Sequence, residues 1–240
     1  MKIAIFDCPK GIAGDMTVGA LLDAGMPFKV LEKEIAKLKL KGYHLALKTV
    51  RSGAFRAKKF SVQIHHHPHH HHTPLKEIEK TIHTSSLNPA IKKTAISIFK
   101  NLGRAESRVH GVGLQKIHFH EAGAIDSFVD IVGTAICFHY LKIEQAYVRS
   151  LAVGRGIQQG SHGRMPIPVP GAYELLKGFY LTQADYEQEM VTPTGAAILN
   201  TFCQKTEKIP KMKLEAIGYG AGDREFDGEK GMLRISLGKI

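Results

Sequence analysis

The chain of 240 residues contains no tryptophan and only three cysteines, Cys8, Cys137 and Cys203. The cysteines lie far apart and form no Cys-X-X-Cys pair, so neither a disulfide framework nor a thiolate zinc site is indicated. Cys137 and Cys203 read as core residues, whereas Cys8 ends a strand at the mouth of a glycine loop. No apolar run approaches the roughly 20 residues of a membrane span. The opening Met1–Asp7 lacks the apolar stretch and cleavage site of a signal peptide, so a cytoplasmic location is expected. Acidic residues are the scarcer charge, 22 against 33 Lys and Arg, which leaves a formal charge of +11. That excess favours anionic partners: phosphate-bearing small molecules, nucleotides or nucleic acid. The lysines spread along amphipathic segments (29–41, 76–80, 92–100) without arginine clusters or interleaved aromatics. Such a pattern suits a solvated surface and argues against nucleic acid.

What is present points to a globular fold. Hydrophobic residues make up 43% of the chain, and the length suffices for one large domain or two small ones with a real core. The pattern of elements predicts an α/β (α+β) fold, a mixed sheet with amphipathic helices packed on it. Residues 2–7 read as a strand, followed by a glycine turn and a helix from Asp15. Tyr43–Val50 and Phe60–Ile64 alternate and read as an antiparallel pair. Asn88-Pro89 launches a long helix to about Val109. Tyr147–Val153 is a further strand, and 211–217 and 232–238 are two final strands around Gly218–Gly222.

The most chemically dense stretch is Lys116–Gly133. His118 and His120 share one face if the segment is extended, and Glu121 follows. Asp126 and Asp130 sit four apart on a helix whose apolar side carries Ile125, Val129 and Val132. Two imidazoles with carboxylates make a ligand set for a borderline divalent metal. The plainer alternative is that Asp126 caps the helix and Asp130 lies on its polar face.

Residues 65–72 hold seven imidazoles: His65, His66, His67, His69, His70, His71 and His72. With Pro68 and Thr73-Pro74 this is expected to be a flexible inserted loop, 65–74, that chelates Ni, Cu or Zn. Three segments carry the backbone freedom or hydroxyls to hold a phosphate. They are the turn with Gly11, Gly14 and Asp15, the loop with Gly154 and Gly156, and the helix start with Thr192 and Thr194. The first is neither a Walker loop nor Gly-X-Gly-X-X-Gly.

Taken together, the chain resembles the LarC-type nickel insertion proteins. The resemblance is carried by Phe6-Asp7-Cys8…Gly11-Ile12-Ala13-Gly14-Asp15-Met16, the histidine run, Val109-His110-Gly111 and Ile117–Gly133. It continues through His162-Gly163, Pro166–Pro170, Val191–Ala197 and Ile217–Gly222. Pro9-Lys10 departs from an aromatic and a serine usual in the family. The resemblance implies insertion of Ni2+ into pyridinium-3,5-bisthiocarboxylic acid mononucleotide, giving the nickel-pincer cofactor of lactate racemase and similar enzymes, with CTP consumed. It implies a single domain over 1–240, the N-terminal part of a lyase-class cyclometallase. A C-terminal CTP-associated domain would lie outside this chain or on a second chain, and a homo-oligomer is expected. In this reading His118, His120, Glu121 and Asp126, with Asp130, suit nickel transfer. The three phosphate-suited segments take the nucleotide, with Arg155, Arg164 or Lys10 as counter-charge. Metallating a ring carbon also removes its proton, and Glu121, His120 and His162 are the candidate bases. The competing reading is a non-catalytic nickel chaperone or store built on the histidine run.

Overall fold

The computed structural model describes residues 1–65, 73–119, 124–160 and 163–240. The elements run β1 (Lys2–Cys8), α1 (Gly14–Asp23), α2 (Phe28–Ala36), β2 (Tyr43–Ser52), β3 (Phe55–Ile64), β4 (Thr73–Pro74), α3 (Leu75–Thr84) and α4 (Pro89–His110). A short 3-10 turn (Leu114–Lys116) leads to β5 (His118–Phe119) and α5 (Ile125–Tyr140). Then come β6 (Gln145–Val153), β7 (Ile157–Gly160), β8 (Gly163–Pro166), α6 (Pro170–Leu175), β9 (Thr182–Gln183), α7 (Pro193–Phe202), β10 (Cys203–Gln204), β11 (Lys213–Phe226) and β12 (Glu229–Lys239).

The main sheet has the order β10-β6-β1-β12-β11-β3-β2, with β9 paired to β6. It is mixed, as the sequence implies. β1 runs parallel to β6 and antiparallel to β12, while β2 and β3 form an antiparallel hairpin in register from Tyr43↔Ile64 to Ser52↔Phe55. The expected capping of α4 is present: Asn88 accepts from the Ala90 amide at 2.8 Å, Pro89 opens the helix, and Gly111 closes it at φ 65°.

Two features position the rest. The first is α5, where every residue from Phe128 to Phe138 is buried. A helix apolar on all sides belongs inside a stack and not on its surface; α5 packs against α1 and α4. Asp130 is therefore carried into the interior, although the i,i+4 spacing suggests a polar face for it. The second is β11. The glycine run Gly218–Gly222 does not separate two strands; it lies within β11, and the turn falls at Asp227-Gly228 instead. Helix α1 crosses directly over this run. A Cβ on Gly220 would stand 1.8 Å from the Met16 carbonyl oxygen, and one on Gly218 would stand 1.9 Å from that of Ala20. The glycines thus let a helix backbone lie against a strand backbone. Gly19 of α1 answers them by meeting Lys58 of β3.

Candidate functional site

Beyond β1 the chain turns at Gly11, at φ 81°, and is stitched to the segment before α7. Ile12 donates its amide to the Met190 carbonyl at 2.9 Å, and Thr192 donates to the Ile12 carbonyl at 3.1 Å. Gly11 and Gly195 have no room for a side chain, since a Cβ would meet Met190 O at 1.9 Å and Ile12 O at 2.4 Å. The stitching brings the start of α1 beside the start of α7. Gly14 then lies against α5: a Cβ there would come within 2.6 Å of the Asp130 Cβ.

Where these elements meet, a cavity of about 310 Å³ opens. Gly14 and Asp15 line it from α1, Asp126 and Asp130 from α5, and Thr192 and Thr194 from the start of α7. β3 contributes Lys59 to Val62, and the far end of β11 contributes Asp223, Arg224 and Phe226. Lys10 and Glu189 complete its polar wall.

The charges in this wall are unevenly matched. The Lys59 ammonium stands 2.7 Å from both Asp15 and Asp223. Burial works to lower its pKa, but the two carboxylates outweigh burial and hold it above the ordinary lysine value. Burial raises Asp15 despite Lys59 beside it. Arg224 pairs with Glu189 at 3.0 Å, and Lys10 reaches Glu229 at 3.5 Å. Asp126 and Asp130 make no ion pair among the described residues. Asp130 is only 9% exposed, and its Oδ1 has no hydrogen-bond partner among the described residues. Burial first, then the Asp15 and Asp126 charges, drive its carboxyl well above the usual range.

The helix terminus expected to cradle a phosphate already holds anions of the protein's own. The Asp15 amide donates to the Asp130 carboxylate, and the Met16 amide to that of Asp15. Thr192 caps α7 by accepting from the Gly195 amide at 3.1 Å, and its hydroxyl meets that of Thr194 at 2.9 Å. Gly154 and Gly156 flank a separate hairpin, β7–β8. A Cβ on Gly154 would meet Gln188 O at 1.9 Å, so its glycine serves packing. Arg155 pairs with Asp185 at 2.7 Å and Glu187 at 3.0 Å. The hairpin touches the cavity wall through Gln158, which donates to Glu189 at 3.5 Å.

His118 is exposed, with its Nδ1 3.1 Å from the Lys116 carbonyl, and is not part of the cavity wall described above. His65 is exposed just past β3, and its amide donates to Gly42. His120, Glu121, His162, His66, His67, His69, His70, His71 and His72 lie outside the described residues. Among the described residues no group of three or more His, Cys, Asp or Glu forms a metal-ligand cluster. Cys8, Cys137 and Cys203 are all free and buried, and burial pushes each thiol upward. Cys8 therefore does not open into the glycine turn as a reactive thiolate.

Lys59, Glu189, Asp223 and Arg224 escape a reading of the sequence as site residues. Lys59 carries a weak signal, a charge beside Phe60 in an alternating strand. Asp223-Arg224 directly follows the glycine run, which hides them behind an apparent turn.

The family model described as "Nickel insertion protein" matches residues 4–239. A protein of Citrifermentans bemidjiense named as a nickel insertion protein is 45% identical over 241 residues, covering 100% of this chain and 62% of its own length. The pyridinium-3,5-bisthiocarboxylic acid mononucleotide nickel insertion protein of Desulfitobacterium hafniense is 40% identical, covering 100% of this chain and 59% of its own. The protein of the same name from Geobacillus kaustophilus is 39% identical, at 100% and 60% coverage. The chain thus spans about 60% of the length of these curated relatives. No solved structure matches it. Among the described residues no helix is long and apolar enough to cross a membrane. The match over nearly every residue, at this identity, means that the chain belongs to the nickel insertion protein family.

Proposed function

We propose that this chain provides the nickel-handling and ligand-binding part of a machine that inserts Ni2+ into pyridinium-3,5-bisthiocarboxylic acid mononucleotide. The observation that carries the reading is convergence. The acids of α5, the turn after β1 and the hydroxyls at the start of α7 line one cavity, although they are far apart in sequence. β3, which forms one wall, runs directly into the histidine run. β4, where the chain re-emerges from that run, pairs with β5 at Thr73↔Phe119 and Pro74↔His118. The point where the chain leaves the histidine run therefore lies beside His118 of the second imidazole-bearing segment.

In the proposed reaction, Ni2+ forms two bonds to thiocarboxylate sulfur and one to a ring carbon. The C–H bond at that carbon breaks and its proton passes to a base, with Glu121, His120 and His162 as candidates. Imidazole and carboxylate hold Ni2+ loosely enough to release it to sulfur. The CTP-consuming step belongs to the portion of the relatives beyond the matched stretch, joined to this chain or on another. The test is reconstitution. This chain, with and without that remaining portion of a relative, receives the mononucleotide, Ni2+ and CTP, and the pincer product is followed optically. Product in the combined sample supports the reading, and its absence there overturns it.

The seven imidazoles of 65–72 favour a second reading, a nickel store without catalysis. Changing the histidines of 65–72 to serine, which keeps the length of the run, separates the two. A store loses its function entirely, whereas an insertion component needs only more nickel.

A further inference from the structure

The cavity wall holds five carboxyl groups, Asp15, Asp126, Asp130, Glu189 and Asp223, against three cationic side chains, Lys10, Lys59 and Arg224. Lys59 serves Asp15 and Asp223, and Arg224 serves Glu189. Asp126 and Asp130 remain, four residues apart on α5 and both facing the cavity. Asp130 is the telling one. It is nine-tenths buried in the cavity lining and one of its oxygens meets the Asp15 amide, yet Oδ1 is buried with no hydrogen-bond partner among the described residues. Removing water from a carboxylate oxygen without replacing its contacts is unfavourable, and such a group ordinarily finds a donor or a cation. Gly14 is what lets it sit there.

The donor set narrows the class of cation. Among the described residues no three His, Cys, Asp or Glu gather into a cage, and the α5 side of the wall offers two carboxyls, Asp126 and Asp130. Mg2+ and Mn2+ bind in this manner, through one or two carboxylates plus water and phosphate oxygen. Borderline ions such as Ni2+ have a better donor set in the histidine run. An acidic cavity also repels a mononucleotide phosphate unless a cation reverses the local sign.

We propose that Asp130, assisted by Asp126, holds a hydrated divalent cation of the Mg2+ or Mn2+ class, whose remaining positions receive the phosphate of the nucleotide ligand. The cation site stands on the geometry alone; the phosphate role rests on the function proposed above.

The test uses the full chain and Mn2+ as probe, read by electron paramagnetic resonance and by water proton relaxation. A companion variant with residues 65–72 changed from His to Ser removes the competing imidazoles. The expected result is one Mn2+ site in both proteins, displaced by Mg2+, and weakened about ten-fold or more by Asp130→Asn. Circular dichroism of Asp130→Asn checks that it folds, and Asp126→Asn, at the more exposed position, gives a second reading with a smaller loss. Three results overturn the site: Mn2+ binding unchanged in Asp130→Asn, binding lost in the histidine variant, or displacement by Ni2+ but not by Mg2+. Nicotinic acid mononucleotide is then added to the Mn2+ complex. A changed Mn2+ signal supports the phosphate role, and an unchanged one overturns that role. The Mn2+ titration is independent of nickel insertion, so its outcome and that of the reconstitution can be told apart.

Discussion

Two buried aspartates sit at opposite ends of the range of what a protein does with a carboxylate. Asp7, near the end of β1, is 8% exposed and surrounded by partners. Ser150 donates to it at 2.5 Å, Arg234 pairs with it directly, and Arg149 lies 3.8 Å away. Burial alone would raise its pKa, but the Ser150 and Arg234 contacts win and hold it below the ordinary value. Asp130 is equally buried, faces like charges and has one oxygen that accepts from no group among the described residues. The first residue ties three strands of the sheet together. The second is held in an unfavourable place by the fold around it, which is the usual condition of a group kept for binding and not for stability.

Substitutions can break this contrast. The largest effect is expected at Gly14→Ala, because the new methyl group would collide with the Asp130 side chain. A loss of about 3 kcal/mol, seen as a lower Tm, is expected from overpacking at this contact. Loss of Mn2+ binding in the same variant would show that the two residues act as one unit. Next is Asp7→Asn, with about 2 kcal/mol lost at pH 7 through weakened charged hydrogen bonds. The sign with pH follows from the lowered carboxyl. Its stabilisation is complete above the unfolded value of about 4 and disappears as pH falls through the lower folded value. Melting curves of wild type and Asp7→Asn should therefore converge in acid, and parallel curves would refute the role given to Asp7. Thr192→Ala should cost about 1 kcal/mol by removing the cap of α7, measured by urea unfolding. The smallest change, and the only one of opposite sign, is expected for Asp130→Asn. Replacing an unpaired buried carboxyl by its neutral isostere should leave stability unchanged or raise it by less than about 1 kcal/mol. A clear loss of Tm in that variant would mean that Asp130 is structural after all, and the contrast with Asp7 would collapse.

Much of the frame was legible in the sequence because local chemistry decides it. Asn88-Pro89 with Gly111 sets the ends of α4, and the alternation in Tyr43–Val50 and Phe60–Ile64 sets the β2–β3 hairpin. The mixed sheet follows from combining that hairpin with strands joined through helices. What could not be read depends on contacts between distant segments. Gly218–Gly222 has the composition of a turn, and only the crossing of α1 explains why those glycines sit inside a strand. Asp130 has the spacing of a polar-face residue, and only the burial of α5 on all sides places it in the interior. Asp15 and Asp126 were readable as candidates because they border recognisable motifs. Lys59 and Glu189 were not, since each becomes a site residue only when β3 and the segment before α7 are brought to the same cavity.

The two-residue pairing of β4 with β5 has a mechanical consequence. Thr73 and Pro74 lie beside Phe119 and His118, and Phe119 is itself anchored against Phe99 of α4 at 6.2 Å. The histidine run is therefore leashed at both ends, to a sheet strand on one side and to the helical layer on the other. Changing its imidazoles alters what it can hold, whereas changing its length would pull on the clasp that positions His118.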